Sequence, residues 1–174
     1  MKKVCIGLIN FLFIACLLAK QPITVDEGDF VFTLPPNWKT MRELWGSYTP
    51  NKDYYKLNIE EVESYTNVQK KGQVGLWFAI ARKDFDQGDL YAEIDRIYRQ
   101  TVPDIPEYQI NQIEIRGVLV YQAHYRRPWG EPWWEFEDYW FVRGNRLYLL
   151  SFHALKLADY SEEITSIIDS IKWK

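Results

Sequence analysis

The stretch Arg146-Leu147-Tyr148-Leu149-Leu150-Ser151-Phe152-His153-Ala154-Leu155 decides how this chain folds. Successive side chains of a strand point to opposite sides. One face of this strand therefore carries Leu147, Leu149, Ser151, His153 and Leu155, and the other Tyr148, Leu150, Phe152 and Ala154. Both faces are mostly apolar, which predicts a central strand covered on both sides, with helices packed on each face of the sheet. Just upstream, Gly144-Asn145 is a strong hairpin dipeptide, so Trp133–Arg143 should run back antiparallel. The Pro-bounded turn Pro128-Trp129-Gly130-Glu131-Pro132 then leads back to Val118–Arg127. Three strands form an antiparallel meander.

Around the meander the period changes. Leu90, Ile94, Ile97, Tyr98 and Thr101 recur at helical spacing within Asp89–Val102, with Asp95 and Arg99 four apart on the wet side. Asp86 or Asp89 can cap its start, and Pro103 closes it. Tyr160, Ile164, Ile167, Ile168 and Ile171 mark a second amphipathic helix, with Asp159 or Ser161 as candidate cap and Glu162 and Glu163 near its positive end. Phe30–Leu34 reads as a strand stopped by Pro35-Pro36-Asn37. Leu44–Thr49 and Tyr55–Val62 read as strands joined through Pro50-Asn51-Lys52-Asp53, and Val74–Arg82 as another. Tyr108–Ile115 reads as a strand with an irregularity, because Tyr108 and Ile110 differ in parity from Ile113 and Ile115. The fold class is α+β: a single-domain α/β/α sandwich with a largely antiparallel sheet of about seven strands and two main helices.

The chain has 174 residues, enough for one domain with a substantial core. Its 8 Trp, 12 Tyr and 9 Phe make it unusually aromatic. A net charge of −3 argues against nucleic-acid binding driven by phosphate neutralisation. Met1-Lys2-Lys3 followed by an uncharged run from Val4 to Ala19 has the form of a signal peptide, too short for a comfortable membrane span. Two readings of its end stand side by side. Cleavage after Ala19 gives a signal peptide over 1–19 and a domain over 20–174. Alternatively, Phe13-Ile14-Ala15-Cys16 resembles a bacterial lipoprotein box, with the signal over 1–15 and Cys16 as the lipid-modified residue. Both cysteines lie in this segment, so cleavage after Ala19 leaves no disulfide, thiol nucleophile or thiolate metal site. It also removes two lysines and no acid, moving the net charge from −3 to −5.

The order of elements resembles the PsbP-like fold. Phe30–Trp38, an aromatic strand ending in Leu-Pro-Pro-Asn-Trp, carries the likeness together with Leu147–Leu155, Asp159-Tyr160-Ser161 and Ile164–Trp173 with its Ser170-Ile171-Lys172-Trp173 ending. The family includes the extrinsic photosystem II protein, a Ran-binding import factor and many bacterial exported proteins of unknown function. The resemblance implies a non-enzymatic domain that binds or helps assemble other proteins, and it carries over no binding residue.

Residue chemistry points the same way. His124 and His153 are the only histidines and lack a short ligand spacing, so no metal is expected. Ser151 sits in mid-strand rather than on a strained turn, and no Gly-x-Ser-x-Gly occurs. Glu131, Glu135, Glu137 and Asp138 among Trp residues invite a glycosidase reading, since Glu135 and Glu137 share a face at i, i+2. Pairing with Arg126 or Arg127 across the turn explains these acids without chemistry. An acid-pair hydrolase stays as the lesser alternative. The sequence thus gives no catalytic residue and no cofactor.

What exceeds structural need is the hairpin from Arg126 to Trp134. Trp129 at its tip beside two Arg has the composition of a binding hot spot, although a tip Trp can also fold back on its own hairpin. Arg126, Arg127, Trp129, Glu131 and Trp133 are the expected partner-binding residues. The expected partner is another envelope protein, or alternatively a solute or glycan held by Trp faces and acids. Membrane contact is expected only through a lipid anchor. The location is exported, periplasmic or extracellular.

Overall fold

The computed structural model describes residues 21–47, 57–101, 107–128 and 131–174. The signal segment, the Pro50–Asp53 turn and Trp129 lie outside the described residues. Among the described residues ten strands form two antiparallel sheets. The larger has seven strands in the order β3 (Lys39–Thr40), β4 (Glu60–Thr66), β5 (Trp77–Asp84), β9 (Arg146–Ala154), β8 (Trp133–Arg143), β7 (Val118–Pro128) and β6 (Tyr108–Ile115). The smaller places β2 (Phe30–Leu34) between β1 (Ile23–Asp26) and β10 (Lys172–Trp173). The described residues also form three α-helices: α1 (Met41–Trp45), α2 (Leu90–Thr101) and α3 (Ser161–Asp169).

The deciding stretch lies where its pattern requires. β9 is central, with every residue after Arg146 buried. On one face Leu147 and Leu149 pack with Ile94, Ile97 and Tyr98 of α2. On the other, Tyr148, Leu150 and Phe152 pack with Ile164, Ile167 and Ile168 of α3 and with Phe30 and Phe32 of the small sheet. The aromatic surplus is spent here. Phe78 stacks on Phe152 at 4.5 Å between ring centres, and Phe30 meets Tyr148 edge-on at 5.2 Å. Such pairs each add about 1 kcal/mol beyond burial. The segments that resemble the PsbP-like pattern lock the small sheet to its layer: Trp38 Nε1 donates to Glu163 Oε1 at 2.6 Å, and Thr33 N–H to Ser170 Oγ at 2.8 Å.

Several expectations need correction. The segment predicted as a strand over 44–49 begins as helix α1. Thr40 and Glu43 form a reciprocal capping box, and Gly46 closes the turn at φ 79. These end signals outweigh the apolar Leu44-Trp45 pair. The next strand covers Glu60–Thr66, entered after Asn58 at φ 56, so 57–59 of the expected 55–62 are not strand, while 55 and 56 lie outside the described residues. The following one starts at Trp77 rather than Val74, because Asn67 Oδ1 accepts the Leu76 N–H at 3.0 Å and holds the loop against β4. Only glycine fits at 75: a Cβ there would stand 2.4 Å from that oxygen.

Strand β6 has no irregularity, since its register with β7 is unbroken. Its change of parity has another cause. Tyr108 and Ile110 pack toward α2, whereas Ile113 and Ile115 pack toward α3. Finally, Asp89 does cap α2, accepting the Ala92 N–H at 3.1 Å, but neither Asp159 nor Ser161 caps α3. A 3-10 turn, Leu157–Tyr160, feeds α3 instead, and Asp159 pairs with Lys156.

Candidate functional site

Strands β7 and β8 place the expected hairpin residues. In their register Arg126 faces Glu135, His124 faces Glu137, and Gln122 faces Tyr139. All six lie on the α3 side of the sheet, given that Val120 and Phe141 on the same strands belong to the core beneath α3. Helix α3 covers only part of that side. Toward β6 and the hairpin the sheet is left open, forming a groove of about 910 Å³ walled by Leu157, Ser161, Ile164 and Thr165 and floored by this polar ladder.

Glu135 and Glu137 are held by groups other than the arginines the sequence suggested, whereas the Arg127 charge acts on Asp138. Glu135 Oε2 accepts the Leu157 N–H at 2.8 Å, tying the hairpin to the turn that starts α3. Glu137 accepts from Gln122 Nε2 at 2.6 Å and from the Tyr139 hydroxyl. Burial raises the Tyr139 phenol above its ordinary range, with the Glu137 charge adding to the effect. Trp133 stands at the groove end, 44% exposed. Arg126 is exposed above its register partner.

Alternation separates the remaining hairpin residues. Arg127 lies on the opposite face, its guanidinium 5.1 Å from the Phe136 ring centre. Glu131 is exposed in the turn and does not line the groove. Thus Arg126 and Trp133 come together, Arg127 leaves them, and Trp129 lies outside the described residues. Gln109, Ser161 and Thr165 were not foreseen. They reach the groove from a distant strand and helix, which no local pattern reveals.

The other face is closed. Asp138 is buried beneath α2, accepting from Tyr98 at 2.7 Å and Tyr125 at 3.0 Å, and Trp140 Nε1 donates to Tyr98 at 2.7 Å. Burial pushes its carboxyl up to about 6 against these hydrogen bonds and the one from Ser151. His153 lies on the same face, stacked near Phe136 at 5.0 Å, and burial pushes it down to about 3. Among the described residues no group of three His, Cys, Asp or Glu side chains could hold a metal ion, and no helix is long and apolar enough to cross a membrane.

A helix on one face, a seven-stranded antiparallel sheet, and a helix with a small sheet on the other define a PsbP-like sandwich. The chain is similar in structure to the cyanobacterial PsbP of Synechocystis (TM-score 0.54, 9% identity, covering 88% of this chain and 92% of that one). It is similar in the same way to the Ran-binding protein Mog1p of Saccharomyces cerevisiae (0.54, 10%, 89% and 96%). A third neighbour is LpqN, involved in cell envelope biogenesis of Mycobacterium tuberculosis (0.54, 10%, 87% and 90%). No protein-family model and no curated protein sequence matches the chain.

Proposed function

We propose that this protein is an exported, non-enzymatic domain that recognises another envelope protein in the groove beside the 126–134 hairpin. The observation that carries the reading is the uncovered half of one sheet face, which holds charged, amide and aromatic side chains where the rest of that face is core. A partner segment laid along β7 and β8 would meet Arg126 as a donor for carboxylates and Trp133 as buried area. Glu135 and Glu137 would take its N–H groups or a lysine. One neighbour binds Ran, which supports a binding role, and another is involved in cell envelope biogenesis, which supports an envelope setting. Export rests on the basic start and the uncharged run from Val4 to Ala19. If Cys16 is the anchor, Cys16→Ser shifts the protein from the membrane to the soluble fraction.

A cross-linked pull-down from native envelope tests the reading. The wild type captures a discrete protein in a salt-sensitive way, and a folded Arg126→Ala/Trp133→Ala variant loses it. Capture unaffected by the double substitution overturns the groove as the site. A second reading, a glycan binder, is favoured by the half-exposed Trp133 indole beside two carboxylates. It predicts quenching of Trp fluorescence by sugars with little salt effect.

A further inference from the structure

A second surface lies away from the groove, where helix α1 meets the turn that follows β4. Trp45 is 41% exposed and Val74 58% exposed, both large for apolar residues on a folded surface. The two segments form one corner. Lys39 Nζ donates to the Gln69 carbonyl at 3.2 Å, the Gln69 amide donates to the Asn37 carbonyl at 2.7 Å, and Lys71 Nζ sits 5.4 Å from the Trp45 ring centre. Arg42 is three residues before Trp45 on α1, hence on the same side of the helix. The two segments that carry the exposed Trp45 and Val74 therefore also carry four cations, Lys39, Arg42, Lys70 and Lys71, with Lys71 over the Trp45 ring.

Two described carboxylates meet these segments, and both are engaged: Glu43 accepts the Thr40 N–H at 2.8 Å, and Glu163 of α3 accepts from Trp38 Nε1 at 2.6 Å and Asn67 Nδ2 at 3.1 Å, so the four cations remain in excess. In a chain of net charge −3 this is a local inversion of sign.

We propose that this corner docks on an anionic lipid surface, making a membrane contact beyond any lipid anchor. Lysine with an exposed Trp suits a headgroup layer: the indole settles at the interface, and long lysine stems let the charges reach lipid phosphates. A protein hot spot would instead favour an aromatic set in a pocket, whereas Trp45 is exposed. The chain direction agrees. The described chain enters at Gln21, Ile23 pairs with Leu34, and Lys39 follows five residues later, so the N-terminal entry and the basic corner share one end of the molecule. Cys16 lies five residues before Gln21, within at most about 18 Å of extended chain. A lipid there would hold this same end at the bilayer, yet the corner's charge does not depend on it.

The test floats the mature protein, purified from cells, with vesicles of phosphatidylcholine alone or mixed with phosphatidylglycerol. Wild type should partition onto the anionic vesicles in excess of the neutral ones, with the excess lost at high salt. Lys70→Gln/Lys71→Gln should cut that excess roughly 25-fold, about five-fold per lysine, and Trp45→Ala several-fold, both with unchanged melting. Equal partition of wild type and the lysine variant overturns the proposal. So does capture of an acidic envelope protein by this corner with no vesicle preference. The Arg126→Ala/Trp133→Ala variant should bind vesicles like wild type, which keeps a failure here distinct from a failure of the groove.

Discussion

Strands β7 and β8 carry polar residues on both faces, and the two sets meet opposite fates. Toward α2, Asp138 is sealed among Tyr98, Tyr125 and Trp140, and every donor it meets comes from within the fold. Toward α3, Glu135, Glu137, His124 and Arg126 line an open groove within reach of solvent. The residue types differ little. Coverage makes the difference: α2 lies over its part of the sheet, whereas α3 stops short of the hairpin. A polar residue under a helix becomes structure, and the same type beyond the helix stays available to a partner.

The contrast breaks most visibly at the two tryptophans. Trp140→Ala should cost about 3–5 kcal/mol in denaturant unfolding, because it empties the core and removes the indole N–H that the Tyr98 hydroxyl accepts. Trp133→Ala should cost under about 1 kcal/mol. Equal losses would mean that the groove is part of the core.

The closed face should also announce itself in pH. The folded Asp138 carboxyl titrates near 6 and the unfolded one near 3.8, so the folded state binds the proton more readily and stability falls as pH rises through this window. Its share is about 3 kcal/mol. His153 acts in reverse: lowered from 6.5 to about 3, it loses stability as pH falls from 6.5 toward 3. The two partly offset between pH 4 and 6. Asp138→Asn should therefore steepen the rise of stability from pH 4 to 6.5, and His153→Gln should reverse it. Unchanged melting profiles in both would refute the closed-face account.

For the open face, Arg126→Ala/Trp133→Ala should weaken partner capture at least ten-fold while stability stays within about 1 kcal/mol. The smallest effect is expected at Asp159, whose pairing with Lys156 at 3.0 Å is exposed. Asp159→Ala should change stability by less than about 0.5 kcal/mol.

Legibility followed coverage as well. The meander and α2 could be read because one period and clear end signals agree, as with Gly144-Asn145 and Asp89. Helix α1 reads as a strand in the sequence because a five-residue turn has no period of its own, although Thr40-x-x-Glu43 and Gly46 bracket it. The parity change in β6 looked like a defect because a sequence does not say which face each half of a strand buries. In the site, alternation alone groups Glu135 with Glu137. It also divides Arg126 from Arg127, which the sequence reading had joined. The α3 wall was hidden, since Ser161 and Thr165 reach the groove only through the packing of the whole layer.

The most direct measurement places a photocrosslinking residue at Gln109 or Thr165 in the groove, and at Tyr91 on the α2 side, in the full chain expressed in its native envelope. The account predicts one discrete adduct from both groove positions and none from Tyr91. Adducts from Tyr91 alone, or the same adduct from all three positions, would contradict it.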